Sequence, residues 1–456
     1  MGNSAACSCG QGPPPTVKQR LLKEQPLGFL PQALESWEFS SLDLDTEQLS
    51  LASFALLQAS FSACGGADKD LLAGFVCGAR EGYLPNPYHN FAHAVDVLHT
   101  MVRLGFWMPW DQLFAPSARF ALLVAALGHD LGHPGYSNMF LIDLGDEVAR
   151  KYNDVSPLEN MHCARLLDIV LQDRCRVFGH LPRREFQGLR KMIIDAILNT
   201  DASQHDAVLA QLQALYDLNS DEFDAERRGQ GFTKPQLDLL GTDTNRRLVS
   251  RALLLGSDES SQSKPWRTAY AWAELLRDEL VAEGDRERAM GFPVAPINDR
   301  CAMSLSEAQL GRLHLLAAPL LAAQVRLFRN WAPLTDTMAA NIREWGSRLA
   351  KESMFDPAGR APDTYVKTLC DLLAAAGTIV HRSGGKFVAT CASAAGEEVV
   401  ANEPCSEPSC PEVPAAPLVR EIRRWRENQT MPGQQRELVL LYIVSDEGAG
   451  QRDCAG

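Results

Sequence analysis

Two histidine pairs at four-residue spacing, His89/His93 and His129/His133, place the strongest demand on how this chain can fold. On a helix that spacing puts both imidazoles of a pair on one face, about one turn apart. A metal needs ligands held by packed elements rather than by loops. The apolar run from Phe120 to Leu127 leads straight into His129-Asp130, so the second pair is expected at the end of a helix held by the core. Six of the ten histidines fall between residues 89 and 162, a clustering that composition alone rarely produces.

From Trp37 to about Leu349 the pattern is helical. Apolar residues recur at three- and four-residue steps in Leu51–Phe61, Ala94–Leu104, Arg190–Ile197, Val208–Leu218, Arg246–Leu255 and Tyr270–Val281. Runs of alternating β-branched residues are nearly absent, which points to an all-α fold. Ser156 before Pro157-Leu158-Glu159 reads as a helix cap, and Ser304 opens another helix ending near Trp331, in which Pro319 predicts a kink. Ser220 to Gly231 reads as a loop.

The expected organisation is a flexible leader over 1–36, a helical catalytic domain over 37–350 and a partly disordered C-terminal extension over 351–456. The first residues, to about 25, read as disordered. Within the extension, 401–416 is rich in Pro and Glu and reads as linker, and Leu438–Val444 is a lone strand-like run. Met1-Gly2 with Cys7 and Cys9 is a candidate acylation site; two acyl chains would anchor the chain to a membrane where one would not. Ala6 stands where that motif wants Ser or Thr. With no secretory signal and no apolar run of membrane-spanning length, a cytoplasmic location is expected, with membrane association through the acylated N-terminus.

A net charge of −13 without a basic stripe argues against a nucleic-acid partner. An acidic protein can still handle a phosphate ester if bound cations reverse the local field. The twelve cysteines are scattered and read as reduced thiols; Cys405 and Cys410, with no neighbouring His, do not read as a zinc module.

The candidate metal ligands are His93, His129, Asp130 and a carboxylate from far along the chain. An imidazole nitrogen suits zinc, while the neighbouring carboxylate can bridge to a harder ion such as magnesium. Two ions about 3.5–4 Å apart can hold a hydroxide between them and clamp a phosphoryl group for in-line attack.

Tyr88-His89-Asn90-x-x-His93, His129-Asp130-x-x-His133-Pro134-Gly135-x-Ser137-Asn138, Tyr152-Asn153-Asp154 and Leu158-Glu159-Asn160-x-His162 occur in order. Thr200-Asp201-x-Ser203-x-His205, Gly284-Asp285-Arg286-Glu287-Arg288 and Ser306-x-x-Gln309-x-Gly311 follow. With these motifs the chain resembles the class I 3′,5′-cyclic-nucleotide phosphodiesterases of the HD superfamily, from Trp37 to near Leu349. The resemblance implies a compact catalytic fold of about sixteen helices around a deep pocket. It implies zinc on His93, His129, Asp130 and Asp258, with Asp130 bridging to a second ion, magnesium or manganese. His133, Asn138, Glu159, His162 and Asp201 would orient ligands and waters. A bridging hydroxide would attack phosphorus while His89, matching the general acid, protonates the departing O3′. Gln309 would hydrogen-bond the purine of cyclic AMP or cyclic GMP, in a pocket shared with Tyr88, Trp272 and Leu276.

The chain departs from the family at three places. Arg312 stands where a Phe usually stacks on the base, and a guanidinium can stack on a flat ring in its stead. The stretch around the last ligand reads Ser257-Asp258-Glu259-Ser260-Ser261, with Ser261 at a base-facing Asn position, and Ala202 replaces a pocket hydrophobe. Two other readings stand beside the hydrolase: another HD-type nucleotide phosphohydrolase, and a catalytically silent nucleotide-binding scaffold.

Overall fold

A computed structural model describes residues 17–22, 30–224, 231–353, 362–383 and 386–391. Its centre is the helix whose apolar run the sequence announces. Helix α1 (Thr46–Ala63) starts on a reciprocal cap: Asp45 accepts the Glu47 and Gln48 N–H groups, and Gln48 Oε1 accepts the Asp45 N–H at 2.9 Å. Helix α2 (Phe91–Phe106) follows, and α3 (Pro116–Gly128) begins with Pro at its first position, where a missing N–H costs nothing. Every residue from Phe120 to Leu127 on α3 is buried, which a helix apolar all round requires. It packs against α1, α2, α5 (Arg183–Leu198) and α6 (Asp243–Asp258), while α4 (Pro157–Leu171) covers its end. Truncating one of these fully buried leucines, such as Leu127→Ala, is expected to cost about 2–5 kcal/mol.

Four more helices close the other side: α7 (Trp266–Met290), α8 (Leu305–Arg312), α9 (Ala318–Leu327) and α10 (Pro333–Ser353). Ser304 caps α8, its Oγ accepting the Glu307 N–H at 3.2 Å, as expected. The single kinked helix expected from Ser304 to Trp331 is instead two helices joined by a π-turn over Leu313–Ala317. Pro319, near the start of α9, cannot donate to the preceding turn, and the wider turn absorbs the mismatch.

Other local expectations are corrected. Ser156 does begin α4, but its backbone is left-handed (φ +43°) and its Oγ donates to Asp201 Oδ2 rather than capping the helix. Ser220–Asp224, expected as loop, is a short helix with Phe223 buried. The expected leader contains two short helices, Val17–Leu22 and Leu30–Glu35, whose Leu21 and Leu34 reach the main core. Beyond residue 350, helix α11 (Pro362–Gly377) packs on α9 and α10 through Leu369 and Leu373. An antiparallel hairpin, Thr378–Ser383 with Lys386–Cys391, ends the described chain. Cys64, Cys77, Cys163, Cys175 and Cys370 are free thiols, whereas Cys301 is disulfide-bonded, which the scatter of cysteines did not announce. Residues 1–16, the linker and Leu438–Val444 lie outside the described residues.

Candidate active site

The site is built from residues of α2, α3, α6 and α7 and the turns beside them. Asn90 caps α2, its Oδ1 accepting the Ala92 and His93 N–H groups at 2.8 and 3.1 Å. His93 therefore lies in the first turn of the helix, but His89 precedes the cap and is not helical, contrary to the one-face reading of the pair. The rings still meet, edge to face, with centroids 5.8 Å apart. His129 sits at the C-terminal end of α3, as expected. Tyr83 fastens that end: its OH donates to Leu127 O at 3.0 Å and accepts the Asp130 N–H at 3.3 Å. Gly132 and Gly135, at φ +76° and +78°, then let the chain double back. His133 returns to stack on His89 at 3.9 Å between centroids.

Asp258, at the last turn of α6, comes to the same point from 128 residues beyond Asp130 (258 minus 130). His93 Nε2 lies 3.0 Å from Asp258 Oδ1 and 3.4 Å from Asp130 Oδ2; His129 Nε2 lies 3.1 Å from Asp130 Oδ2 and 3.4 Å from Asp258 Oδ1. Two imidazole nitrogens and two carboxylates thus converge. His129 Nδ1 donates to Ala126 O at 2.9 Å, which turns Nε2 inward as a lone pair. That buried atom has no aligned hydrogen-bond partner among the described residues. A buried nitrogen without an aligned hydrogen bond, facing two carboxylate oxygens, is one that could exchange its proton for a cation between them.

The electrostatics of the bare chain say the same. Burial alone would lower the pKa of His93, yet hydrogen bonds to Asp130 and Asp258 push it up to about 9. His129 is likewise held well above the usual imidazole range, against its burial, by Asp130 and Asp258. Burial would raise both carboxyls, but His129 and His93 hold them well below the usual range. Protons on the imidazoles neutralise the charge that a divalent ion would otherwise balance.

Around this centre, His162 turns Nε2 towards Asp130 Oδ1 at 3.7 Å, its Nδ1 donating to Leu131 O at 2.9 Å. Burial and its cationic neighbours hold the His162 pKa down at about 4. Burial first and His89 second keep His133 well below the normal range, so the stacked rings do not share two charges. Asn138 bridges two elements, accepting Leu158 N–H at 3.0 Å and donating to Glu159 at 3.0 Å. Burial and the Asp201 carboxylate push Glu159 up to about 8. Asp201 accepts Ser156 Oγ at 2.5 Å and Ser203 N–H at 2.8 Å.

Tyr88, Trp272 and Leu276 form a small cluster of their own, with the Tyr88 ring tilted against His93 at 4.8 Å between centroids. Gln309 is buried on α8, and its Oε1 accepts Gln262 Nε2 at 2.9 Å. Arg312 does not extend to solvent: it pairs with Glu259.

Four contributors escaped the sequence reading: Tyr83, Glu259, Gln262 and Glu279. Glu279 is the most telling. Its Oε2 accepts the Tyr88 and His89 N–H groups at 2.9 and 3.1 Å, and its Oε1 accepts from His89 Nδ1. A signal was there: Trp272, Leu276 and Glu279 occur at i, i+4 and i+7 on α7, so a carboxylate shares the face of two pocket residues.

The fold brings His93, His129 and Asp258 together as a group that could hold a cation, beside the apolar cluster of Tyr88, Trp272 and Leu276. The sequence profile described as 3′,5′-cyclic nucleotide phosphodiesterase matches residues 88–338, and the chain belongs to that family. It is 30% identical over 249 residues to the human "High affinity cGMP-specific 3′,5′-cyclic phosphodiesterase 9A", covering 55% of this chain and 39% of that protein. Against the Drosophila melanogaster "3′,5′-cyclic-AMP phosphodiesterase, isoform F" it is 32% identical over 257 residues, 56% of this chain and 36% of the relative. The chain thus matches well under half the length of these curated relatives. The crystal structure of the phosphodiesterase domain of a RhoPDE fusion protein from the choanoflagellate Salpingoeca rosetta superposes with a TM-score of 0.65 at 29% identity, covering 71% of this chain and 97% of that one.

Proposed function

We propose that the chain hydrolyses a 3′,5′-cyclic nucleotide, cyclic AMP or cyclic GMP, to the 5′-monophosphate. The observation that carries the reading is the convergence of His93, His129, Asp130 and Asp258, with His89 in edge-to-face contact with His93. Those four side chains would hold zinc, with Asp130 shared by a second ion, magnesium or manganese. Bound cations supply polarisation of the phosphoryl oxygens and acidification of water. The chain's own part is to position and protonate. His89, oriented by Glu279, delivers a proton to O3′ so that the leaving group departs neutral, an effect typically worth about 10²–10⁴-fold. His133, Asn138, Glu159, His162 and Asp201 keep the polar wall ordered. Tyr88, Trp272, Leu276, Gln309 and Arg312 receive the purine, with the Gln309 amide offering donor and acceptor together.

The catalytic domain on this reading continues through α11 to about Gly377, because Leu369 and Leu373 share its core. Acylation at Gly2 and at Cys7 or Cys9 would add a membrane address; no helix among the described residues is long and apolar enough to cross a membrane.

The test is turnover of both cyclic nucleotides by the purified full chain, with and without chelator, beside Asp258→Asn. Metal-dependent release of 5′-monophosphate, lost in the variant, is expected. Tight cyclic-nucleotide binding without turnover, with both ions supplied, would instead mark a sensor.

A further inference from the structure

Helix α4 begins on a serine that does not cap it. Asn138 Oδ1 accepts the Leu158 N–H at 3.0 Å, the bond an N-cap side chain would make to the second helical residue, so the Ser156 hydroxyl is released for another use. It donates to Asp201 Oδ2 at 2.5 Å, across 45 residues. We propose that Ser156 is a positioning residue for the ion that Asp130 shares, fixing the Asp201 carboxylate relative to Glu159 and His162. The inference rests on the two-ion reading above and names what holds one side of that second site.

The backbone is strained to aim this hydroxyl. Asn153, Asp154 and Ser156 all lie in the left-handed region, at φ +54°, +61° and +43°. Asn and Asp enter that region with local help from their side chains; serine has no such help. Burial does not explain the strain, because Asn153, Asp154 and Val155 are exposed, Val155 at 66%. The turn is held from several sides: the Asp154 N–H reaches Ala149 O at 3.0 Å, and Asn160 Nδ2 donates to Val155 O and Ser156 O at 2.9 and 3.0 Å. A strained residue that its surroundings over-determine marks a functional position.

What the strain achieves is a join between two segments. Helix α4 carries Glu159 and His162, whereas Asp201 stands after α5, at the start of the turn Ala202–Gln204. Asp201 is buried, and its two oxygens are taken separately: Oδ1 by the Ser203 N–H at 2.8 Å and Oδ2 by Ser156. The first bond lies within its own turn; the second is the one that reaches the start of α4. Asn138 completes the frame, since the amide that caps α4 also donates to Glu159 Oε2 at 3.0 Å. A carboxylate anchored at both oxygens keeps one rotamer, so the waters it orients around an ion stay in register.

The experiment uses the full chain loaded with zinc, with manganese as the probe for the second ion: calorimetric Kd for Mn2+, the thermal midpoint, and kcat and KM as Mn2+ is raised. Ser156→Ala is expected to raise the Mn2+ Kd roughly 10- to 100-fold, with kcat recovered by excess Mn2+ and KM changed by less than about threefold. Ser156→Gly also removes the hydroxyl but suits the left-handed backbone, so its midpoint lies above that of Ser156→Ala while its Mn2+ Kd rises as far. In an Asp201→Ala background, Ser156→Ala is expected to add nothing to the Kd. Wild-type Mn2+ affinity in both serine variants, a loss of affinity in the Ala but not the Gly variant, or additive losses in the double variant would overturn the proposal. The Ala and Gly variants decide it between them if the Asp201 variant folds poorly. Wild type that takes up Mn2+ without turning over a cyclic nucleotide would sink the hydrolase reading and leave Ser156 to be judged on Kd; wild type that takes up zinc alone would sink the proposal, whatever the turnover.

Discussion

His89 is held by Glu279 from both ends: the carboxylate accepts from the ring Nδ1 and from the backbone N–H of the same residue, at 3.1 Å for the latter. Nδ1 therefore carries a proton bound to Glu279, and Nε2 is the nitrogen left to carry the one that would be donated. Glu279→Gln retains one acceptor oxygen and the volume, but loses the charge and half of the pairing. It is expected to lower kcat about 10- to 100-fold with little change in KM, the signature of a group that acts in the transition state. Steady-state kinetics on cyclic AMP and cyclic GMP measure the split; an equal effect on KM alone would assign Glu279 to substrate binding.

The convergence at Asp258 predicts linked stability and activity. Chelation of the purified chain is expected to abolish turnover and lower the thermal midpoint, and zinc with magnesium is expected to restore both, since any ion bound only by the folded state stabilises it. Asp258→Asn should lose the midpoint shift on metal addition along with activity. A chelated protein with full turnover would contradict the site.

Glu159 makes the metal-free protein sensitive to pH in a defined direction. Burial and Asp201 raise its folded pKa to about 8, above the unfolded carboxyl value near 4.5, so the folded state binds more protons in between. Its stabilising contribution is full below about 4.5 and is lost as pH rises towards 8, by at most about 1.4 kcal/mol per pH unit. Glu159→Gln, which can still accept from Asn138, is expected to flatten that slope. Denaturant midpoints of chelated wild type and variant between pH 5 and 8.5 make the comparison.

Lys264 is fully buried, and burial lowers its pKa while Asp96 pulls it back. The Lys264–Asp96 separation of 3.6 Å is that of an ion pair rather than a hydrogen bond, and the ammonium also lies 4.7 Å above the Trp37 ring. Lys264→Met strands the Asp96 carboxylate and is expected to cost about 3–5 kcal/mol; Lys264→Met with Asp96→Leu should cost less. Chemical denaturation of the single and double variants decides it.

How much of this could be read from the chain varies with the distance over which each signal acts. The core of α3 and the approach of His129 to a ligand cluster were legible, because an eight-residue apolar run before His-Asp is a local pattern. The meeting of Asp258 with His93 needed the motif order rather than any periodicity. Glu279 was hidden because it lies in a charged stretch, Asp278 to Arg288, where a buried carboxylate looks like its solvated neighbours. Ser156 misled because local capping statistics gave way to a tertiary partner, the Asp201 carboxylate. Arg312 read as a substitute for a stacking ring and Glu259 as part of an altered stretch, since their pairing across 53 residues is invisible until the chain is folded.

The short span from Asp258 to Ser263 carries the carboxylate proposed as a cation ligand, the partner of Arg312 and the amide that hydrogen-bonds Gln309. It is pinned in turn by Trp37 Nε1 on Ser263 O at 2.8 Å and by Asn341 Nδ2 on Gln262 O at 2.9 Å. On the proposed reading, chemistry and discrimination would share one mutational fate: a substitution at this span that retunes which nucleotide enters would also tug on the ion, and an N-terminal residue as remote as Trp37 would gain leverage over both.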